Sequence, residues 1–421
     1  MPSSSNLGIS SGTPFPVIED VLPHIPRPPS NNPFRPTTCD PAAYPSDSIQ
    51  HCLLTPPENT PNPPSWAPVN HEQFTSLCQC LLTNSCIENQ DQVVILNVNH
   101  FGTWYRKSLE GNNGGETIWG ISIIESLILL NYTFLYAHEF DAVQDIYHLF
   151  STSAPAIIMS DEHIFECWED KVHCVKSPQN PLGPPIWKIL TFHFWPNAAH
   201  PLGHRWTLSP EDYAHHRAGE EIDANTYLPY TVEFSCNSQP VLPPAERERG
   251  RIWALAKRLS YLSPHRERAW PASFFPAAAT HLSQLGVHFT IGAEDDSEWA
   301  REHDGVEVQP MSEFGGDGVL ENVGLLDRPD FMREIARSVA LLGVGRPAIS
   351  PTPYQALCLG VPFINPIMDW DADFPDDRGS WETQHNGLKF LEPPFVYNVR
   401  KNDEAGFLDA IARAAEHPIS R

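Results

Sequence analysis

The sequence predicts an α/β protein with two Rossmann-like domains that face a cleft, preceded by a proline-rich N-terminal arm. The run 93–98 is continuously apolar and β-branched, which is typical of a strand buried on both faces of a parallel sheet. A glycine-rich loop, a helix and a second strand follow it, and strand–helix alternation resumes in the second half of the chain. We therefore predict an arm over 1–90, a first domain over 91–225 and a second over 226–421.

Composition limits the class of protein. The chain has 421 residues, 41% of them hydrophobic, which is enough apolar surface for two ordinary cores. Its formal net charge of −25 at pH 7 would repel nucleic acid and anionic lipid, so neither is an expected partner. The sequence has no run of eighteen apolar residues and no signal-peptide pattern at its start, so no membrane span is predicted.

The arm and the cysteines indicate an extracytoplasmic setting. Residues 1–68 hold 17 of the 43 prolines, which disfavours a helical or packed structure there. Nine cysteines occur without paired CxxC spacing, most densely at Cys78, Cys80 and Cys86. We interpret them as disulfides formed in an oxidising compartment, with one thiol left over. The alternative is a set of buried thiols in a cytosolic protein.

The individual elements follow from apolar runs and their stops. In the first domain we predict strands at 93–98, 132–137 and 156–160, and helices at 116–130 and 141–150, with Asn131 ending the first helix. The stretch 167–225 shows no clear period. In the second domain we predict strands at 228–234, 287–291, 340–344 and 361–365, and helices at 249–261, 329–339 and 354–359.

Glu116 is the first candidate catalytic residue. Gly111, Gly114 and Gly115 precede it in a loop that would let the backbone approach a ligand closely. Glu116 would stand at a helix N-terminus, where a carboxylate simply interacts well with the helix dipole. The alternative is a general base at the carboxyl end of a strand, facing the cleft. Glu125 is nine residues further and on the opposite helix face, so the two carboxylates cannot act as a hydrolase pair.

The segment before Tyr354 is the second candidate site. Ser350 and Thr352, each followed by a proline, lead into a helix whose first N–H groups lack helical partners. Such groups suit a diphosphate leaving group. An ordinary capped helix start is the alternative.

Two further patterns are weaker. Asp369, Asp371 and Asp373 form a DxD pattern that could hold a metal, but a solvated acidic loop explains it better. His200 and His204 are four residues apart, but a proline and a glycine lie between them, so they do not share a helix face and zinc is not expected. No metal cofactor is predicted.

Several segments resemble a known family in chain order. Glu110-Gly-Asn-Asn-Gly-Gly-Glu116 and the helix after it resemble a loop and helix of the α-1,6-mannosyl-glycoprotein 6-β-N-acetylglucosaminyltransferases, glycosyltransferase family 18. The segments 205–210 and 228–233 match next. The most specific match runs from Leu342-Gly-Val-Gly345 through Ser-Pro-Thr-Pro353 to Gly360-Val-Pro-Phe-Ile-Asn-Pro366. Thr383-Gln384-His385 fits a short family motif.

The resemblance implies a GT-B fold and an inverting transferase that uses UDP-N-acetylglucosamine as donor and needs no metal. It implies an N-glycan mannose as acceptor, residence in the Golgi lumen, and an anchor outside this chain. Glu116 would be the catalytic base. The donor-binding residues would be Ser350, Thr352, Gln355, Gln384 and His385. Trp206 would shape the acceptor side, and an ordinary core tryptophan is the alternative.

One departure from the family concerns the donor site. The family carries a glutamate early in the donor-domain helix, and Gln355 stands in that place here. An amide can still bond ribose hydroxyls, but without charge assistance. A transferase with another donor or acceptor sugar, and a non-catalytic nucleotide-sugar-binding relative, are therefore alternatives.

Overall fold

Two separate β-sheets with helices packed on them form the molecule, which confirms the predicted class of two Rossmann-like α/β domains. The computed structural model of the chain describes residues 66–97, 114–137, 139–214, 224–316 and 318–419. None of the helices in these ranges is long and apolar enough to cross a bilayer.

The first sheet has six parallel strands in the order β2-β1-β3-β4-β5-β6. Its strands are β1 (Val93–Asn97), β2 (Thr133–Ala137), β3 (Ile157–Ser160), β4 (Ile189–Phe192), β5 (Thr207–Ser209) and β6 (Thr226–Tyr227). Its helices are α1 (Ala67–Thr83), α2 (Gly115–Leu129), α3 (Glu139–Phe150) and α4 (Asp161–Glu169). Every residue of β1 and β2 is buried, because helices cover both faces of the sheet. Asn131 follows α2 with a φ of 60°, as predicted for a helix stop.

The first domain begins earlier than predicted. Phe74 and Leu77 of α1 are buried in one core with Val93 and Leu135 of the sheet. Residues 66–90 are therefore not part of an arm, because α1 covers one face of the first sheet. The rest of the predicted arm, 1–65, lies outside the described residues, as do Cys39 and Cys52.

The boundary between the domains also lies further along than predicted. Strand β6 belongs to the first sheet, where Leu208 pairs with Thr226. Beyond it, the Trp119 Nε1 of α2 donates to the carbonyl oxygen of Leu228 at 3.0 Å, and the Thr231 N–H donates to the Ser122 Oγ at 3.0 Å. The predicted strand over 228–234 is wrong, since this connection crosses the end of the first domain.

The second sheet follows the order β12-β11-β10-β7-β8-β9, and β13 also pairs with β11. Its strands are β7 (Arg251–Leu255), β8 (His288–Ile291), β9 (Leu320–Asn322), β10 (Ala340–Gly343), β11 (Phe363–Asp369), β12 (Glu382–Thr383) and β13 (Val396–Arg400). Its helices are α5 (Glu233–Cys236), α6 (Phe274–His281), α7 (Ser297–Asp304), α8 (Arg328–Arg337), α9 (Thr352–Cys358) and α10 (Glu404–Glu416). The predicted helix over 249–261 is wrong, because its first half is β7, the strand between β8 and β10.

Three disulfides lie in the described part of the chain. They join Cys80 to Cys86, Cys167 to Cys174, and Cys236 to Cys358. The third ties α5, the first element of the second domain, to the last turn of α9. The prediction that cysteines form disulfides is confirmed for these six residues.

Candidate functional site

The candidate site lies where the carboxyl ends of the first sheet meet the start of α9 in the second domain. In a parallel α/β sheet, ligands bind outside the carboxyl ends of the strands. Helix α2 begins at that edge, and Glu116 in its first turn is exposed. Most of the predicted glycine loop, including Gly111, lies outside the described residues, while Gly114 and Gly115 stand directly before Glu116.

Gly115 brings the two sequence-predicted segments together. A Cβ atom on Gly115 would lie 2.8 Å from Cζ of Phe194, which follows β4, and 3.4 Å from Cδ of Pro351, which precedes α9. The absence of a side chain thus lets the first turn of α2 approach Phe194 closely, with Pro351 at ordinary contact distance. The start of the helix that carries Glu116 and the turn before α9 are therefore neighbours, although they come from different domains.

The turn before α9 is held together by its own hydroxyl groups. The Ser350 hydroxyl donates to Thr352 Oγ1 at 3.1 Å, and the Thr352 N–H donates to Ser350 Oγ at 3.3 Å. Ser350 is half-buried and Thr352 is buried. Both hydroxyl groups therefore lie at the N-terminus of α9, where the sequence predicted a helix start. Ser350 is the more accessible of the two.

Gln355 is the buried polar group without a partner in this segment. Its side chain is 1% exposed, yet neither Oε1 nor Nε2 has a hydrogen-bond partner in the described part of the chain. A buried amide group left unpaired costs about 1–3 kcal/mol. Such an orphaned donor–acceptor pair, one helical turn from Thr352, is the kind of group that a bound polar ligand satisfies.

Gln384 is engaged in shaping the loop before α9. Its Oε1 accepts from the Gly345 N–H at 2.8 Å, and its Nε2 donates to the Pro347 carbonyl at 2.9 Å. Its backbone carbonyl also accepts from the Ile349 N–H at 3.0 Å. The Gln384 amide thus fixes the path of residues 345–349, which carries the chain to Ser350.

His385 belongs to a buried polar cluster between the domains. Its ring is 4.8 Å from the Tyr354 ring in an edge-on arrangement, and its Nε2 is 3.8 Å from Glu211 Oε1. Glu211 also accepts from the hydroxyl groups of Tyr354 at 3.4 Å and Tyr230 at 3.5 Å. Burial raises the pKa of Glu211 to about 8, so the carboxyl is largely neutral at pH 7. Glu211 was not predicted as a site residue, because it stands just after a three-residue strand in a stretch whose sequence shows no period.

Trp206 is not brought to this edge of the sheet. It directly precedes β5, and its Nε1 donates to the carbonyl of Trp187, which precedes β4, at 3.1 Å. Both tryptophans therefore lie at the amino ends of parallel strands, whereas Glu116 lies at the carboxyl ends. The half-buried Trp206 packs against the core of the first domain and stacks on His200.

Trp195 is the tryptophan at the carboxyl edge. It follows Phe194, the residue that contacts Gly115, and its side chain is 43% exposed. Its backbone is fixed, because the N–H donates to His193 Nδ1 at 3.2 Å and the carbonyl accepts from Asn225 Nδ2 at 2.8 Å. An exposed aromatic ring on an anchored backbone can stack on an apolar sugar face.

The aspartates of the DxD pattern lie at and beyond the end of β11. Asp369 is the last residue of that strand, Asp371 and Asp373 lie on the loop after it, and all three are exposed. Asp371 Oδ1 accepts from the Asp373 N–H at 2.8 Å, so this carboxylate caps its own loop.

The solved structures to which this chain is similar share little sequence identity with it. No protein-family model matches the sequence, and no curated protein matches it. Among solved structures, the chain is similar to a sucrose-phosphate synthase from Thermosynechococcus elongatus (12% identity, 76% of this chain and 89% of that chain, TM-score 0.43). It is also similar to a UDP-forming α,α-trehalose-phosphate synthase from Burkholderia vietnamiensis (11% identity, 78% and 92%, TM-score 0.43). Likenesses this distant carry no inference about activity or substrate.

Proposed function

We propose that this chain is an inverting glycosyltransferase that moves N-acetylglucosamine from UDP-N-acetylglucosamine to the 6-hydroxyl of an N-glycan mannose without a metal ion. The observation that supports the proposal is the closeness of Gly115 to Pro351, because it brings the first turn of the helix that carries the exposed Glu116 next to a segment with an unpaired buried amide. The sequence resemblance supplies the donor and acceptor. The three disulfides support a compartment of the secretory pathway, and we propose the Golgi lumen.

In the proposed reaction Glu116 acts as the general base. Its carboxylate takes the proton of the acceptor hydroxyl as that oxygen bonds to the anomeric carbon of the donor. The bond from this carbon to the β-phosphate oxygen breaks, and its electron pair leaves with UDP. Because attack and departure occur on opposite faces, the anomeric configuration inverts.

The donor residues of the proposal divide into two groups. Ser350 and Thr352 would bond the diphosphate, and Gln355 would bond the ribose through its unpaired amide. Gln384 and His385 would hold the surrounding loop and helix. A transferase with another donor sugar is the second candidate function, since Gln355 is an amide where the resembled family has a carboxylate.

Glu116→Gln tests the reaction with the smallest change in shape. We expect UDP release from UDP-N-acetylglucosamine in the presence of an N-glycan acceptor to fall about 10²–10⁴-fold, because an amide cannot accept the proton. UDP binding, measured by calorimetry in EDTA, should be unchanged. An active wild type with an equally active Glu116→Gln variant would exclude this base, and UDP binding that requires Mn²⁺ would exclude the metal-free site.

A further inference from the structure

Glu211 is a buried acid to which the reaction described above assigns no role. It lies two residues beyond β5, at the carboxyl edge of the first sheet, and is 3% exposed. The groups that meet its carboxyl come from the second domain and from the chain after β6. They are the Tyr354 hydroxyl, the Tyr230 hydroxyl and the His385 ring. This carboxyl is therefore a polar link between the domains.

The second domain packs closely against the Glu211 carboxyl. A Cβ atom on Gly387 would lie 2.8 Å from Glu211 Oε2 and 2.9 Å from the Tyr354 hydroxyl oxygen. The Gly387 backbone therefore closes over the carboxyl because it has no side chain. The Tyr230 ring packs edge-on against the Tyr354 ring with 5.9 Å between centroids. The carboxyl is thus enclosed by three segments.

This enclosure adjoins the proposed donor residues. Tyr354 precedes Gln355 on α9 and follows Thr352 by two residues, while His385 follows Gln384. A displacement of Tyr354 or His385 would therefore move the residues proposed to hold the nucleotide. We propose that Glu211 is a positioning residue of the donor site: its neutral carboxyl holds Tyr354 and His385, and through them the first turn of α9, in the arrangement that accepts a nucleoside diphosphate. This inference rests on the proposed function.

The electrostatics favour the neutral form. Burial is the largest cause of the raised pKa of Glu211, and nearby Asp212 raises it further, while the hydroxyl groups of Tyr354 and Tyr230 lower it. In the described part of the chain, the titratable groups around the carboxyl are Asp212, Tyr213, Tyr227, Tyr230, Tyr354 and His385. Ionisation of Glu211 would place a negative charge in the buried contact between the domains. This charge would draw water into the contact and repel the diphosphate.

The test is calorimetric titration with UDP from about pH 6 to about pH 9, with wild type, Glu211→Gln and Glu211→Ala. Because only the neutral carboxyl supports binding, the wild-type Kd should weaken roughly tenfold between pH 7 and pH 9 for a pKa of about 8. Glu211→Gln keeps a neutral group of the same shape, so its affinity should match wild type at pH 7 and lose this pH dependence. Glu211→Ala should bind weakly throughout. Ionisation of UDP itself is common to all three proteins and cancels in the comparison.

Glu246→Gln is the matched control, since Glu246 is exposed on the second domain and should follow the wild-type profile. A Glu211→Gln profile identical to wild type would overturn the positioning role while leaving the proposed function intact. Wild-type-like binding by Glu211→Ala would do the same. Failure of the wild type to bind UDP at any pH would instead remove the donor site and this inference with it.

Discussion

Gly115 and Pro351 lie so close that a Cβ atom added to Gly115 would stand 3.4 Å from Cδ of Pro351. The first residue begins the helix of Glu116, and the second precedes the helix of Gln355. The helix that carries the proposed base and the helix of the proposed donor segment therefore begin next to one another, although they belong to different domains.

Gly115→Ala should weaken activity without unfolding the protein. Its Cβ would stand 2.8 Å from Phe194 Cζ, so the Phe194 ring and the start of α2 must move apart, and a movement of α2 changes the spacing between Glu116 and the donor segment. Since misplacement by about 1 Å can cost roughly 10²-fold in rate, we expect a fall of that order in kcat. Steady-state kinetics and a thermal melt together test this prediction.

The double variant Gly115→Ala/Phe194→Leu tests whether the clash with Phe194 causes the fall in kcat. Leucine lacks the Cζ atom that the new Cβ would meet, so much of the activity should return. A single variant with unchanged kcat would show that the spacing is not critical.

Gln355→Met separates stability from binding at one position. Methionine has the volume of glutamine but no polar amide, so the free energy of unfolding should rise by about 1–3 kcal/mol once the unpaired group is gone. UDP affinity should fall at the same time, because the proposed ribose contact is lost. Urea denaturation and calorimetry measure the two quantities. A destabilised Gln355→Met protein that still binds UDP normally would contradict both parts.

Trp195→Ala should raise the KM for the glycan acceptor and leave the KM for the donor unchanged. Loss of one aromatic stacking contact is worth about 0.5–1.5 kcal/mol, which corresponds to a roughly 2–12-fold change in KM. Trp206→Ala is the comparison, since it removes packing from the first-domain core and should lower thermal stability with little effect on acceptor KM. The reverse pattern would restore Trp206 to the acceptor side.

Glu211 should also make stability depend on pH, with a definite sign. Its folded-state pKa of about 8 lies above the ordinary value of 4.5, so the native state holds the proton more tightly than the unfolded state. The free energy of unfolding should therefore be highest below pH 4.5 for this group and decline as the pH rises towards 8, by at most about 1.4 kcal/mol per pH unit. Urea titrations of wild type and Glu211→Gln should diverge across this window. If the free energies of unfolding of wild type and Glu211→Gln change in the same way with pH, a group other than Glu211 titrates in this range.

The sequence predicted the elements that long apolar runs mark. Strand β1 was found because four β-branched or aliphatic residues follow one another over 93–96, and α2 because its apolar run ends at Asn131. Strand β7 was mistaken for a helix, since Ile252, Leu255 and Leu259 also follow helical spacing. Its tertiary position between two strands decides the outcome, and spacing cannot reveal that position.

The candidate site was predictable where local chemistry marks it. Glycines before Glu116 and hydroxyl groups before α9 indicated two sites, but only the fold showed that they meet. Glu211 and Trp195 follow strands of three and four residues, too short for a visible period. Both residues could have been predicted by treating polar and aromatic residues just after each strand as candidate site residues. That step requires the two short strands to be recognised first.

The connection between the domains determines how the cleft can open. Residues 228–231 are bonded to Trp119 and Ser122, and these two residues lie on the helix that carries Glu116. Any rotation of the second domain must therefore turn about a pivot beyond Thr231, at the flank of α2. Glu116 would keep its position over the first sheet while the proposed donor segment moves with the second domain. In the proposed reaction, UDP would then be exchanged for a fresh donor without a change in the position of the proposed base.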